Sequence, residues 1–307
     1  MTSAVVFAYH NVGVRGLTAL LAQRVSVPLV VTHEDRADEQ IWFDSVAALA
    51  RKHGIETITP EDANAPDVVQ RIRALAPDFI FSFYYRQMLG AELLACARRG
   101  AYNLHGSLLP KYRGRVPINW AVIHGERETG ATLHRMEAKP DAGGIVGQEA
   151  VPIGPDETAR EVFDKVVVAT DRLLVRALPG LLAGTAVERP QDLARGSYFT
   201  GRKPQDGAID WAQPARRIHD LVRGVTHPYP GAFTTLGGKR LNVWRTQVLS
   251  EAGAAAAPRL GVEAGSLVAH AGNGGSLRLL ESDWDGAVLT PARFSAAFPQ
   301  GRAPLPS

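Results

Sequence analysis

One feature constrains this chain more than any other: over its first third, two kinds of hydrophobic pattern take turns. "AVVFAY" (4–9), "VPLVVTH" (27–33), "IETIT" (55–59), "DFIFSFYY" (78–85) and "GAYNLHG" (100–106) are short, apolar and rich in β-branched or aromatic residues, as strands are. Between them, "LTALLAQR", "QIWFDSVAALARKHG" (40–54), "PDVVQRIRALAP" (66–77) and "LGAELLACARRG" (89–100) carry helical spacing. In the second, Ile41, Phe43, Val46 and Leu49 form the apolar stripe and Gly54 the stop. Strands that alternate with helices and are apolar throughout predict an α/β fold. Its sheet is Rossmann-like and mostly parallel, with right-handed crossovers and helices on both faces. Ligands then collect at the carboxyl ends of the strands.

The turn after the first strand, His10 to Gly16, lacks the Gly-x-Gly-x-x-Gly spacing, so no dinucleotide is predicted. "ETAREVFDKVVVATDRLLVRALPGLLAG" (157–184) reads as a long helix interrupted near Pro179, and 188–207 as a polar connector. From about Ala208 the pattern changes. One helix, "ARRIHDLVRGV", precedes glycine-bounded strands: "GAFTTL", "RLNVWRTQVL", "GSLVAHAG", "GSLRLLES" and "GAVLTPARF". These suggest a small OB-like β-barrel. Residues 251–261 read as a surface loop and 299–307 as a frayed tail. The expected organisation is a catalytic domain over 1–190, a linker over 191–207 and the OB-like domain over 208–307.

Apolar stretches are too short to span a bilayer, and residues 1–9 read as a strand rather than a signal peptide. The single cysteine, Cys96, reads as a core residue in a reducing, cytoplasmic compartment. A net charge of +3 suits an anionic small molecule and falls short of a nucleic-acid footprint.

The chemistry concentrates in "NLHGSLLPKYRGR" (103–115). Side chains alternate along a strand, so Asn103 and His105 face one crevice together. A helix follows from about Pro117. Further on, the strand "ATLHRM" leads to a turn ending in Asp141, before Ala142, Gly143 and Gly144. A carboxylate there either forms the turn or orients a histidine. His124 and His134 lack a ligand constellation and read as surface or packing residues, and no metal is expected. Arg113, Arg115, Arg202 and Lys203 are candidates for an anionic ligand. Tyr84, Tyr85 and Trp120 either flank a ligand ring or belong to the core.

"NLHGSLLPKYRGRVPINW", with "LHRMEAKPDAGGIVGQ" and "PYPGAF", resembles the folate-dependent formyltransferase family, which includes methionyl-tRNA and sugar N-formyltransferases. "VVFAYHNVG" and "IFSFYYRQML" are most similar to the branch that modifies UDP-4-amino-4-deoxy-L-arabinose for lipid A, a route to polymyxin resistance. The likeness runs over nearly the whole chain, is densest over 78–145 and thins after about Leu249. It implies Asn103, His105 and Asp141 as catalytic residues. It implies Gln87, Met88, Leu89, Arg115, Glu137, Ala138, Lys139 and Pro140 as contacts for 10-formyltetrahydrofolate. Arg113, Arg202 and Lys203 then suit the diphosphate of a nucleotide sugar or the folate glutamate. The partners implied are the folate and the nucleotide sugar, with no nucleic acid and no membrane insertion. Bifunctional relatives carry a decarboxylase after this domain. With the sequence ending at Ser307, a separate decarboxylase upstream is the expectation.

In that reading an amine attacks a formamide-like carbonyl. The Asn103 amide stabilises the developing oxyanion, His105 moves the proton, and Asp141 holds the imidazole if it lies within a hydrogen bond. Four alternatives remain. Methionyl-tRNA would want a basic surface, whereas 32–42 is acid-rich, with Glu34, Asp35, Asp38 and Glu39. A dTDP-linked amino sugar, hydrolysis of formyl-folate and a catalytically silent binding protein are the others.

Overall fold

The computed structural model describes residues 1–35 and 41–306. In chain order the elements of the first half are β1 (Ser3–Ala8), α1 (His10–Ala22), β2 (Ser26–Val31), α2 (Val46–Lys52), β3 (Glu56–Ile58), α3 (Pro66–Leu75), β4 (Phe79–Phe83), α4 (Ala91–Leu94), β5 (Gly100–His105), β6 (Arg113–Gly114), α5 (Pro117–Ile123), β7 (Glu128–Arg135), β8 (Ile145–Pro152), α6 (Ala159–Ala183) and β9 (Tyr198–Phe199). Then come α7 (Ala215–Val225), β10 (Ala232–Leu236), β11 (Lys239–Ser250), β12 (Arg259–Glu263), β13 (Ser266–His270), β14 (Ser276–Trp284), β15 (Ala287–Val288), α8 (Pro291–Ala297) and β16 (Arg302–Pro304).

Contacts group the chain into two compact units. The first holds Met1–Pro117, Glu128–Pro152 and Phe163–Thr200; the second holds Ile118–Arg127, Ile153–Val162 and the stretch from Gly201 onward. Two short segments from the first half of the chain therefore pack with the C-terminal part.

The first unit is built on a seven-stranded sheet in the order β3-β2-β1-β4-β5-β7-β8. The first five are parallel; β7 runs antiparallel to β5, and β8 to β7. Both faces are covered. Val5, Phe7, Leu29, Val31 and Ile80 on one face meet Val68, Val69 and Ile72 of α3 and Leu93 of α4, with Cys96 in this core. On the other face α1 lies so close that a Cβ on Gly16 would run into the Phe83 ring. Gly16 is thus a packing residue inside a helix. The expected glycine turn after β1 is instead the first turns of α1, which begins at His10.

Other boundaries differ from expectation for physical reasons. The helix expected over 40–54 starts only at Val46, where the Ser45 hydroxyl caps it by accepting from the Ala48 amide. Phe43 and Trp42 instead surround His10, at 4.0 and 4.5 Å between ring centroids. The expected acidic residues Asp38 and Glu39, and Gln40, lie outside the described residues. The helix over 89–100 shrinks to the single turn α4. α6 is continuous through Pro179. Proline removes the bond to the Val175 carbonyl, but both residues sit on the exposed face, where that carbonyl can turn to solvent.

The second unit holds an antiparallel sheet in the order β10-β11-β14-β13-β12-β16, with β15 on β14, curled around α7 residues as a partial barrel. Trp211 at its centre donates from its indole to the Thr234 hydroxyl. The loop expected over 251–261 ends in β12. The expected tail pairs as β16 with β12. "TPARF", expected within a strand, is the start of α8: Thr290 caps it and Pro291 takes the first helical position. Among the described residues, no helix is long and apolar enough to cross a membrane.

Candidate active site

Strand order reverses between β1 and β4, which opens a crevice at their carboxyl ends, and β5 lies beside it. β5 ends in Asn103 and His105. Its antiparallel pairing with β7 sets His134 opposite Asn103 and Thr132 opposite His105. Thr132 anchors the loop that leaves β5. It donates to the Ser107 carbonyl at 2.6 Å and accepts from the Leu109 amide at 3.2 Å. The Ser107 hydroxyl is turned into the same loop, donating to the Lys111 carbonyl at 2.6 Å. It is a loop tie.

Asp141 is the hub. Its Oδ1 lies 3.6 Å from His105 Nδ1, 3.4 Å from His134 Nε2 and 3.5 Å from Asn103 Nδ2. Its Oδ2 accepts from the Gly114 amide at 2.8 Å. Asp141 itself sits at φ +50°, a left-handed conformation that aspartate tolerates and that aims the carboxylate back at the sheet. Gly114 has φ +97°, and a Cβ there would strike the Phe199 carbonyl, so the amide that meets Asp141 comes from a position only glycine fits. Burial pushes the Asp141 carboxyl up, but the neighbouring His105 imidazole and the Gly114 N–H work against it, and the carboxyl is held well below the usual carboxylate range.

His105 is 6 % exposed. Its Nε2 lies 2.7 Å from the Tyr112 carbonyl, which can only accept, so Nε2 carries a proton. The imidazole is therefore anchored by Tyr112. Asp141, at 3.6 Å, stands beyond hydrogen-bond length and acts on it through charge, a correction to the expected carboxylate anchor. Tyr112 is in turn held by the Ser197 hydroxyl on its amide and by stacking on Phe199.

The sequence reading missed three residues that build this centre. His134, expected at the surface or in packing, is 1 % exposed and touches both Asn103 and Asp141. Only the register of β5 on β7 reveals it. Tyr112 contributes a backbone atom, which no side-chain pattern announces. Gln191, expected in a linker, holds the turn around Asp141: its Nε2 donates to the Asp141 and Gly143 carbonyls at 3.0 and 2.7 Å.

The other predicted residues divide. Arg115 is exposed and donates to the Arg86 carbonyl at 2.8 Å, next to the Gln87–Met88–Leu89 segment. Gln87 holds backbone of 61–63 through both ends of its amide. Met88 projects outward, 57 % exposed, and Leu89 is buried. Glu137, Ala138 and Lys139 are exposed, and Pro140 is half-buried beside Asp141. Arg113 is buried in β6, and its Nε has no hydrogen-bond partner among the described residues. Arg202 and Lys203 belong to the second unit. The Arg202 guanidinium lies 4.6 Å above the Trp120 ring there and donates to the Asp206 carbonyl. Tyr85 is buried and stacks on His33, and burial pushes its phenol up to about 12. Among the described residues, no group of three or more His, Cys, Asp or Glu could hold a metal ion.

A family model described as "Formyl transferase" matches residues 13–178. The chain belongs to the formyl transferase family. The family's C-terminal domain model matches residues 202–297. Solved structures share the fold of this formyl transferase. An N-formyltransferase from Helicobacter canadensis, in complex with folinic acid and dTDP-3-aminofucose, has a TM-score of 0.70 at 19 % identity, covering 91 % of this chain and 99 % of that one. WlaRD, a sugar 3N-formyl transferase in the presence of dTDP and 5-N-formyl-THF, has a TM-score of 0.71 at 18 % identity, covering 91 % and 97 %. HypX from Aquifex aeolicus in complex with tetrahydrofolic acid has a TM-score of 0.60 at 18 % identity, covering 97 % of this chain and 47 % of that one.

Proposed function

We propose that this formyl transferase moves a formyl group from 10-formyltetrahydrofolate to the amine of a nucleotide-linked sugar, UDP-4-amino-4-deoxy-L-arabinose, in the cytoplasmic modification of a lipid A precursor. The observation that carries the reaction is the convergence of Asn103 and His105 on Asp141, within 3.6 Å, at the carboxyl ends of the strands. The sugar rests on the resemblance of residues 5–13 and 80–89 to the branch that uses it.

The donor side suits a folate. An exposed Met88 and an exposed Arg115 flank one segment, which matches a ligand with an apolar ring system and an anionic tail. The folate supplies an activated formyl group. The chain's own residues do the rest. Asn103 offers an amide N–H to the formyl oxygen as negative charge builds there. His105, with its proton fixed on Nε2 by Tyr112, has Nδ1 open to take the proton of the attacking amine. That proton lands beside the ionised Asp141, which stabilises the imidazolium until the folate nitrogen takes the proton back. Arg113, Arg202 and Lys203 remain the candidates for the sugar diphosphate or the folate glutamate. An upstream decarboxylase would supply the amino sugar.

A second reading, a dTDP-linked amino sugar, is favoured by the ligands of the two sugar N-formyltransferases that share this fold. An end-point assay with 10-formyltetrahydrofolate and three acceptors separates the readings: UDP-4-amino-4-deoxy-L-arabinose, a dTDP-4-amino sugar and methionyl-tRNA. Turnover of the UDP sugar that His105→Ala abolishes supports the proposal. Turnover of another acceptor keeps the mechanism and replaces the substrate. Release of formate alone points to a hydrolase.

A further inference from the structure

We infer that His134 is a positioning residue that decides which end of the Asn103 carboxamide faces the reacting groups. This rests on the reading of Asn103 as an N–H donor in formyl transfer.

A side-chain amide offers an oxygen at one end and an NH2 at the other, and the two ends occupy nearly the same space. An oxyanion is stabilised only by the nitrogen end. Something must therefore forbid the flipped amide. His134 supplies the reason. Its Nδ1 lies 2.7 Å from the Arg135 carbonyl, which can only accept, so Nδ1 carries the proton. In the neutral ring Nε2 is then a bare acceptor. Asn103 Nδ2 lies 3.1 Å from it. Asp141 Oδ1, which as a carboxylate oxygen also only accepts, lies 3.5 Å from the same nitrogen. Flipping Asn103 would set its oxygen against two acceptors at once. The flipped amide is excluded by repulsion as well as by the loss of a hydrogen bond.

The arrangement also leaves a hydrogen available. His134 Nε2, Asp141 Oδ1 and Asn103 Nδ2 lie 3.1 to 3.5 Å from one another, so the two acceptors subtend about 60° at the nitrogen, roughly half the angle between the two N–H bonds of a planar amide. One N–H of Asn103 serves both acceptors, and the second remains for the substrate. The ring that enforces this is 1 % exposed and sits opposite Asn103 across the β5–β7 pair. The backbone register, rather than a mobile loop, sets the contact.

Two measurements test the proposal. The first needs no substrate. In protein labelled with 15N at histidine, long-range proton–nitrogen correlation at neutral pH is expected to show His134 protonated on Nδ1 and bare on Nε2, with Asn103→Ala shifting the Nε2 resonance. A ring protonated on Nε2 overturns the proposal. The second is kinetic. His134→Phe is expected to lower kcat about a hundredfold, comparable to removing an oxyanion donor, with little change in KM for either substrate. His134→Gln, whose oxygen can accept from Asn103, is expected to recover part of the rate. Because His134 acts through Asn103, His134→Phe is expected to add no loss in an Asn103→Ala background. Additive losses, or a loss confined to KM, overturn the positioning role while leaving formyl transfer intact. The expected tautomer in an enzyme that formylates none of the acceptors upholds the clamp and overturns the assigned reaction.

Discussion

Asp141 faces four groups at once, three through Oδ1 and the Gly114 amide through Oδ2. Asp141→Asn keeps the volume and one acceptor oxygen but removes the charge that faces His105. Formyl transfer is expected to fall by two orders of magnitude or more, read as kcat, with the far-ultraviolet spectrum unchanged; near-normal turnover would remove Asp141 from the mechanism. The same variant has a pH signature. The folded carboxyl is held below its ordinary value, so it stays ionised while the unfolded chain, near pH 4, takes up a proton. The Asp141 contribution is complete above that range and is lost as pH falls further. The difference in Tm between wild type and Asp141→Asn is expected to be flat from neutrality to about pH 5 and to shrink in stronger acid. Asn103, His105 and Asp141 were legible because each stands in a local motif. His134 was not, since it lies 31 residues beyond Asn103 and its importance comes from register alone.

Elements were legible where their signal is local and failed where a neighbour changed its meaning. β1, β2 and β4 are largely apolar, the short β3 and β5 are bounded by turns, and all five appear where expected. Phe43 mimicked a helix stripe because its spacing fits one, yet its ring packs on His10 and Tyr9. α8 did have a sequence signal, threonine followed by proline, hidden inside an apolar run. Thr290→Ala removes the hydroxyl that accepts from the Arg293 amide, and is expected to cost about 1 kcal/mol, read as a lowered denaturation midpoint. At α6, Pro179→Ala restores the missing bond to Val175. It is expected to stabilise by about 1 to 3 kcal/mol, with the midpoint moving up and the denaturant slope unchanged. A lower midpoint would mean that proline's stiffening of the unfolded chain outweighs the helix bond.

At the scale of the molecule, the second unit is assembled from three stretches of chain. The tie that gathers them is buried. Arg223, with Asp220 at 2.7 Å, donates to the Glu157 carbonyl at 2.9 Å and reaches the Gly154 and Val122 carbonyls, while Asn119 donates to the Gly224 carbonyl at 2.8 Å. A fragment of residues 201–307 keeps α7 and its sheet but loses the Val122, Gly154 and Glu157 carbonyls and Asn119. It is expected to show no cooperative unfolding transition, and a sharp transition near that of the intact protein would refute this. Such interleaving also bears on how the protein can be recombined. A chimera made at a single junction near residue 200 would join the C-terminal barrel of one relative to inserts 118–127 and 153–162 of another. A working exchange has to move all three stretches together, so the second unit cannot be swapped by a single cut in the gene.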